Sequence, residues 1–494
     1  MRTRPESAYP ARDVRAADAF AIRTLGIPGY TLMNRAAAAA LDLLRERWPG
    51  ARRLTVLCGA GNNGGDGYVL ARLARAAGLG VDVVAFADPA RLKGDAARAH
   101  EDCVAAGGTV RRAGVAVAAG PDADVIVDAL LGTGLDRPVD AGLRECIEAV
   151  NASGRPVLAL DLPSGLHADT GEVMGAAVRA AVTITFVGLK PGFWLGEGPD
   201  HTGELVCDDL DIPPAAFAGA SCALRLIGPG LAAAALPRRS RLAHKGSAGR
   251  VVIAGGGPGM PGAVRLAAEA ALRVGAGLVT VLTHPAHAAS LVIARPEIIC
   301  HGIDDAAAAR AHLEAADVVA LGPGLGQSAW ARALYAAVVD RPGLRVLDAD
   351  ALNLLSQSPC RAEDWILTPH PGEAARLLGR GNSDIQRDRR AAVLELAARY
   401  GGVAVLKGAG SLVACGSQPP SVCDAGNPGM ASAGMGDVLT GVIAGVLAQC
   451  RDPGLAAAVG VDLHARAGDR AARGGERGLL ASDLLAELRA GANP

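Results

Sequence analysis

One pattern constrains this chain more than any other: a short unbroken apolar run, then a Gly-rich or polar loop, then a segment with helical spacing. "RLTVLCG" leads into "GAGNNGGDG" (Gly59–Gly67) and then "YVLARLARAAG", which ends at Gly78. "VDVVAFA", "DVIVDALLG", "PVLALDLPSG" and "VTITFVG" follow. Continuous apolar strands separated by helices predict a parallel sheet buried on both faces. Ligands then gather at the carboxyl ends of its strands. A Pro/Ala/Gly stretch, Asp211–Ser221, interrupts the pattern. It restarts with "GRVVIAGGG", "GLVTVLT", "DVVALGPGLG", "LRVLDADALN", "WILTPHPGE" and "VAVLKGAGS". The expectation is an α/β protein of two domains, 1–217 and 218–494. A length of 494 residues suits two to three domains.

Half the chain is apolar, but only 3% is aromatic. Abundant Ala and Gly favour close helix–sheet packing. A net charge of −1 leaves no basic excess for nucleic acid or an anionic membrane. The first residues lack the apolar stretch of a signal peptide, and runs such as Val438–Cys450 are too short and Gly-broken to span a bilayer. A cytoplasmic location is expected. The ten cysteines form no CxxC pair, so reduced thiols are expected rather than a metal or disulfide framework. Positive charge is almost all Arg. The lysines are Lys93, Lys190, Lys245 and Lys407, and a retained Lys suits a site needing a compact point charge.

Gly59, Gly61 and Gly64 fit the dinucleotide fingerprint G-x-G-x-x-G, with Asp88 placed for a ribose contact, but that match alone is weak. Asn62, Asn63, Gly65 and Asp66 crowd the same helix start. A carboxylate there suits a cation or a polar nucleotide edge better than a diphosphate. Asp128 and Asp161 end two further strands. Adjacent parallel strands would bring Asn63, Asp128 and the Ser164 region together, an oxygen set suited to a hard cation. Each Asp alone reads equally as a loop cap.

"GAGNNGGDG", "DALLGTGLDRP", "DLPSGL", "DTG" and "TITFVGLKPG", in this order, resemble the NAD(P)H-hydrate epimerase domain of the bifunctional YjeF-type repair enzymes, over about Ala17 to Ile212. The resemblance implies a Rossmann-like three-layer fold. It implies that Asn62, Asn63, Gly64, Gly65 and Asp66, with Gly132, Thr133, Gly134, Leu135, Asp136, Arg137 and Pro138, hold the hydrated nucleotide. It further implies potassium at Asn63, Asp128 and Ser164, Asp161 as the acid/base, and Lys190 in support. Asn34 and Ala37 stand where an acidic residue and a glycine are expected.

"GNPGMASAGMGDVLTG" (Gly426–Gly441) places glycines and Asp437 at the start of an apolar helix. Loop amides and a helix N-terminus make an anion site, and a carboxylate beside it can take a proton from an attacking hydroxyl. A bare GxGD reads equally as an Asp cap on a tight turn. "LKGAGS" adds Lys407 and flexible amides, "TPHPGE" adds His370, and "GPGLG" adds a backbone cradle. Together with "HKGSAGRVVIAGG" and "PGMPGAVRLAAEAALRVGAGLVTV", these resemble the ribokinase-like, ADP/ATP-dependent NAD(P)H-hydrate dehydratase half of the same family, from about Leu236 to Leu488. That implies substrate contacts at Ala263, Gly324, His370 and Asp437. It implies nucleotide contacts at Lys407, Gly408, Ala409, Gly410, Ser411 and Gly436, with Asp437 as catalytic base. Ala433 replaces an expected Gly, and a methyl there restricts the turn if φ must be positive.

The resemblance implies repair of hydrated NADH and NADPH. The first domain interconverts the R and S hydrates, and the second dehydrates the S form with ADP as phosphate donor, giving AMP and phosphate. Potassium and magnesium are the implied ions. NAD(P)H hydrates and ADP are the small-molecule partners, in a homo-oligomer. A small-molecule or vitamin kinase with a regulatory nucleotide-binding N-terminal domain is the alternative.

Overall fold

The computed structural model describes residues 2–3, 5–113, 122–228 and 230–493. The chain divides into two compact units, Met1–Leu224 and Arg225–Pro494. In the first, Arg53–Cys58, Gly80–Ala85, Val110–Arg112, Val125–Ala129, Val157–Leu160, Val182–Phe186 and Glu204–Asp208 form a parallel sheet. Arg53–Cys58 lies between Gly80–Ala85 and Val125–Ala129, so the chain builds outward on one side, returns to the centre, and builds outward on the other. That reversal opens a crevice beyond the carboxyl ends of the two central strands. Val125–Ala129 and Val157–Leu160 are buried along their whole length. Burial on both faces is why these strands read as unbroken apolar runs. The helix Gly29–Arg47 turns Leu32, Met33, Ala36, Ala37, Ala40, Leu43 and Leu44 inward at helical spacing. Each buried leucine there contributes about 2 kcal/mol.

The second unit repeats this strand order without repeating the sequence. Its parallel sheet runs Ile299–Gly302, Leu278–Thr283, Arg250–Ala254, Val318–Leu321, Leu344–Leu347, Trp365–Leu367, Val403–Leu406. Leu412–Cys415 and Ser421–Val422 continue it antiparallel. The helix Met435–Cys450 is apolar around most of its circumference because it is buried on both sides. It lies very close to Pro261–Arg273. A Cβ on Gly441 would stand 2.0 Å from the Ala267 carbonyl oxygen, so only glycine fits there. None of the described helices is long and apolar enough to cross a membrane.

Each quoted apolar run forms a strand. The short or charged strands, such as Val110–Arg112 and Ser421–Val422, carry no such run. The two departures in the helix Gly29–Arg47 are accommodated. Asn34 donates to the Tyr30 carbonyl and accepts from Arg72, and Ala37 is fully buried. All ten cysteines are free.

Candidate active sites

The crevice of the first unit is a cavity of about 750 Å³. The helix Asn62–Ala76 opens onto it with Gly61 at the cap and no side chain on its first amides. Gly61, Asn62, Asn63 and Asp66 line the cavity, as do all seven residues Gly132–Pro138, Asp161 and Lys190. Gly64 and Gly65 do not: a Cβ on Gly64 would stand 2.2 Å from the Gly59 carbonyl oxygen, and one on Gly65 would stand 2.5 Å from the Met33 methyl. These two glycines let the helix start pack against its neighbours. Asp88 also lies outside the cavity lining, capping Pro89–Arg91 and pairing with Arg112 at 3.0 Å.

Asp161 has a φ of +63°, and Val187 and Leu210, which also face the cavity, have φ of +67° and +54°. Left-handed backbone at non-glycine residues costs about 1–3 kcal/mol each and clusters at working sites. Lys190 is 1% exposed and places Nζ 2.5 Å from Asp161 Oδ1. The ammonium also donates to Thr185 Oγ1 at 2.7 Å and to the Phe186 carbonyl at 3.1 Å. All three of its protons are used, so it is a fixed charge behind Asp161. A Cβ on Gly132 would lie 3.2 Å from Asp161 Oδ2 and 3.4 Å from Asn63 Cβ, which places the three loops edge to edge. Burial, then Asp161 and Asp18, push the Asp66 carboxyl well above the usual range.

Just behind the cavity, Asp128 is fully buried, and among the described residues no Lys, Arg or His forms an ion pair with it. Ser164 Oγ donates to Asp128 Oδ1 at 2.6 Å, and Ser164 N to Oδ2 at 2.8 Å. Burial pushes Asp128 up to about 6, against the pull of these hydrogen bonds. Asn63 donates through Nδ2 to the Leu131 carbonyl at 2.8 Å, while its Oδ1 is buried without a partner among the described residues. Leu131 N donates to Ser164 Oγ at 2.8 Å. A buried carboxylate and an orphaned amide oxygen, gathered by one serine, form an oxygen donor set that fits a hard cation.

In the second unit the charged centre is a lysine between carboxylates. Lys407 Nζ lies 2.6 Å from Asp348 Oδ1 and 3.8 Å from Glu373 Oε2. Thr440 Oγ1 holds the other Asp348 oxygen at 2.8 Å. Burial would lower Lys407, but Asp348 and Glu373 outweigh it and leave it raised. A Cβ on Gly436 would sit 3.4 Å from Lys407 Nζ and 3.7 Å from Asp348 Oδ2. Asp437 is next in the chain, in the first helical turn. Burial, then Asp348, push its carboxyl up to about 7, with Lys407 opposing. Gly434 takes the left-handed cap at φ +88°, and Ala433 is not among the positive-φ residues. The anticipated restriction at Ala433 therefore does not arise, because the neighbouring glycine makes the turn.

His370 caps Pro371–Leu378 through Nδ1, and its Nε2 is 3.4 Å from Glu373 Oε1. Glu373 thus links it to Lys407. Burial, then Lys407, lower His370, which favours the neutral ring. Ala263 meets Gly324, where a Cβ would be 3.0 Å from its methyl. One turn on, Leu266 Cδ1 lies 2.6 Å from the corresponding point on Gly434. Lys407–Ser411 is shaped from behind by the buried Arg389, whose guanidinium donates to the carbonyls of Leu406, Lys407 and Gly410 at 3.3–3.4 Å. Within the loop, Ser411 Oγ donates to the Gly408 carbonyl at 2.9 Å. Sequence reading missed Asp348, Glu373, Thr440 and Arg389. Asp348 ends a strand as Asp128 and Asp161 do, and that signal could have found it.

Two family models cover the chain. That for the YjeF-related protein N-terminus matches residues 29–192, and that for NAD(P)H-hydrate dehydratase matches 251–489. A bifunctional NAD(P)H-hydrate repair enzyme, Nnr, of Coxiella burnetii is 48% identical across 98% of this chain and 99% of its own. This chain belongs to the bifunctional NAD(P)H-hydrate repair enzymes. Their Escherichia coli representative is 44% identical over 99% of this chain and 95% of its own length. Among solved structures, a ribokinase-like superfamily protein of Enterococcus faecalis is similar at 30% identity and a TM-score of 0.51, covering 55% of this chain and 95% of that one. The family membership and the two folds agree with the motifs: an epimerase half of YjeF type and a ribokinase-like dehydratase half.

Proposed function

We infer that the first unit interconverts the R and S hydrates of NADH and NADPH and that the second dehydrates the S form at the expense of a nucleotide phosphate. The observation that carries this is one chain with two acid centres, Asp161 and Asp437, each at the carboxyl end of a doubly wound sheet and each beside a lysine, Lys190 buried and Lys407 partly so. The working boundary is that of domains 1–217 and 218–494.

In the first unit, Gly61–Asn63 and Gly132–Pro138 hold the nucleotide at the open helix start. Asp161 exchanges a proton with the hydrated ring, held in place by Lys190. Asn63, Asp128 and Ser164 would hold potassium, which ties the three loops together. The orphaned Asn63 oxygen supports that assignment.

In the second unit, Ala263, Gly324 and His370 contact the hydrate, and Lys407–Ser411 and Gly436 take the nucleotide. Asp437 removes the proton from the substrate hydroxyl as its oxygen attacks the terminal phosphoryl group of ADP and AMP leaves. The phosphate ester then eliminates, restoring the ring double bond. Lys407 neutralises phosphate charge. Magnesium carried on the phosphates needs only one or two protein carboxylates, and Asp348 and Asp437 flank the place. ADP as donor, self-association and a cytoplasmic location rest on family membership.

The test is recovery of reduced-nicotinamide absorbance from a mixed R/S hydrate, with ADP or ATP plus magnesium, in potassium and in sodium-only buffer. Wild type recovers the whole mixture. Asp437→Ala recovers none, and Asp161→Ala recovers the S fraction quickly and the rest only at the spontaneous exchange rate. No recovery with either nucleotide, or a stable phosphorylated product, would sink the dehydratase assignment in favour of a kinase. Equal R-to-S rates in sodium and potassium would remove the potassium site.

A further inference from the structure

One wall of the first unit's cavity comes from the helix Ala11–Arg23, which lies outside the matched residues 29–192. Val14, Asp18 and Ile22 line the cavity at successive helical turns, with Arg15 beside them. Arg15 Nη1 donates to the Thr133 carbonyl at 2.7 Å, which ties this helix to the Gly132–Pro138 loop. Asp18 is the one carboxyl that the helix turns into the cavity. Among the described residues, no hydrogen bond or ion pair engages it.

The charged groups it faces are Asp161, Lys190 and Asp66. Asp95, Asp136, Arg137 and Asp140 line the rest of the cavity. Lys190 is committed to Asp161 and Arg15 to the Thr133 carbonyl, and among the described residues no cation forms an ion pair with Asp18. Burial, then Asp161, raise its pKa, with Lys190 opposing. Among the carboxyls that line the cavity, Asp161 and Asp18 stand in contrasting settings: Asp161 is paired with Lys190, and Asp18 has no ion pair among the described residues. That contrast divides base from acid between two residues of the same type.

Building on the assignment of Asp161, we propose that Asp18 is the second acid/base of epimerisation, protonating the ring nitrogen as the hydrated ring opens. Water adds to the carbon next to that nitrogen, since the nitrogen lone pair stabilises positive charge there. The hydroxyl proton passes to Asp161, and the oxygen's electron pair forms a carbonyl. The carbon–nitrogen bond breaks, its electron pair stays on nitrogen, and nitrogen takes the Asp18 proton. The open aldehyde turns about the adjacent carbon–carbon bond. Nitrogen then attacks the opposite face and returns its proton to Asp18, while Asp161 returns its proton to oxygen. No oxidant or reductant is needed, and both carboxyls end as they began.

The test uses the full chain and follows R-to-S conversion by chromatography, without nucleotide. Asp18→Asn is expected to lower kcat about 100-fold with KM within about twofold, to flatten the alkaline limb of the pH profile, and to leave dehydration of pure S hydrate unchanged. Asp18→Glu restores part of the rate. Should Asp18→Asn melt early, Asp18→Leu at wild-type melting temperature decides, with lost kcat as support. Full kcat in either folded variant, or a change in KM alone, overturns the proposal. Equal epimerisation by Asp161→Ala and wild type would instead overturn the assignment of Asp161.

Discussion

At the scale of single residues, the two sites tune the same side chain by different neighbours. Asp161 meets a lysine whose donors are all used, on backbone strained to a left-handed conformation. Asp437 has Asp348 nearby and a lysine shared with Asp348 and Glu373, and burial dominates. Its folded-state value of about 7 lies above the ordinary 3.8. Two consequences follow from the sign of that shift. As a base, Asp437 works only when ionised, so kcat/KM for the S hydrate should climb about tenfold per pH unit below about 7 and level off above it. As a titrating group, it stabilises the fold when protonated. That contribution is complete below about pH 3.8 and is lost as pH rises through about 7. At pH 8 Asp437→Asn should therefore melt higher than wild type while being inactive, a trade-off set by a charge held away from water. A pH-independent kcat/KM between 5 and 8, from stopped-flow rates on pure S hydrate, would remove Asp437 as the base.

At the scale of elements, the loops work because something buried shapes them from behind. Arg389 is 4% exposed, and burial pulls its guanidinium down to about 10. A Cβ on Gly408 would stand 2.7 Å from its Nη1, so glycine and arginine fit as a pair. Arg389→Lys cannot reach all three carbonyls. It should raise KM for the nucleotide about tenfold, leave kcat within about threefold, and cost about 1–3 kcal/mol in stability. An unchanged KM in steady-state titrations of ADP would show that the loop holds its shape without the arginine. This is also the level at which the sequence was most and least legible. The parallel strands were readable because burial on both faces leaves unbroken apolar runs, and the loops because glycines and acids end those runs. The quoted glycines differ in their surroundings: a Cβ on Gly64, Gly65 or Gly441 would run into a packed neighbour, while Gly436 faces the charged cluster. That distinction depends on which chain lies a few ångströms away, which spacing does not encode. Asp18 and Arg389 were invisible for the same reason, since each is an ordinary charged residue on an amphipathic helix until the fold aims it.

At the scale of the whole molecule, two units of equal strand order and unlike sequence each gather charged side chains at the carboxyl ends of their parallel strands. The two activities need share nothing but the S hydrate. If that intermediate is released to solvent, the sites can be supplied by different molecules. Equal amounts of Asp161→Ala, which keeps the dehydratase centre, and Asp437→Ala, which keeps the epimerase centre, should then repair pure R hydrate together although neither does so alone beyond the spontaneous rate. At saturating enzyme the mixture should reach the full wild-type absorbance. At limiting enzyme it should lag, because the S hydrate must build up toward the KM of the second centre before recovery becomes linear. Wild type at the same site concentration should show the same lag, since release and rebinding are the same in both cases. A lag present in the mixture and absent from wild type would mean that covalent linkage of the units carries the intermediate across. A mixture that never exceeds the spontaneous rate would mean that one substitution has disabled both centres, and the assignment of one acid to each activity would fall.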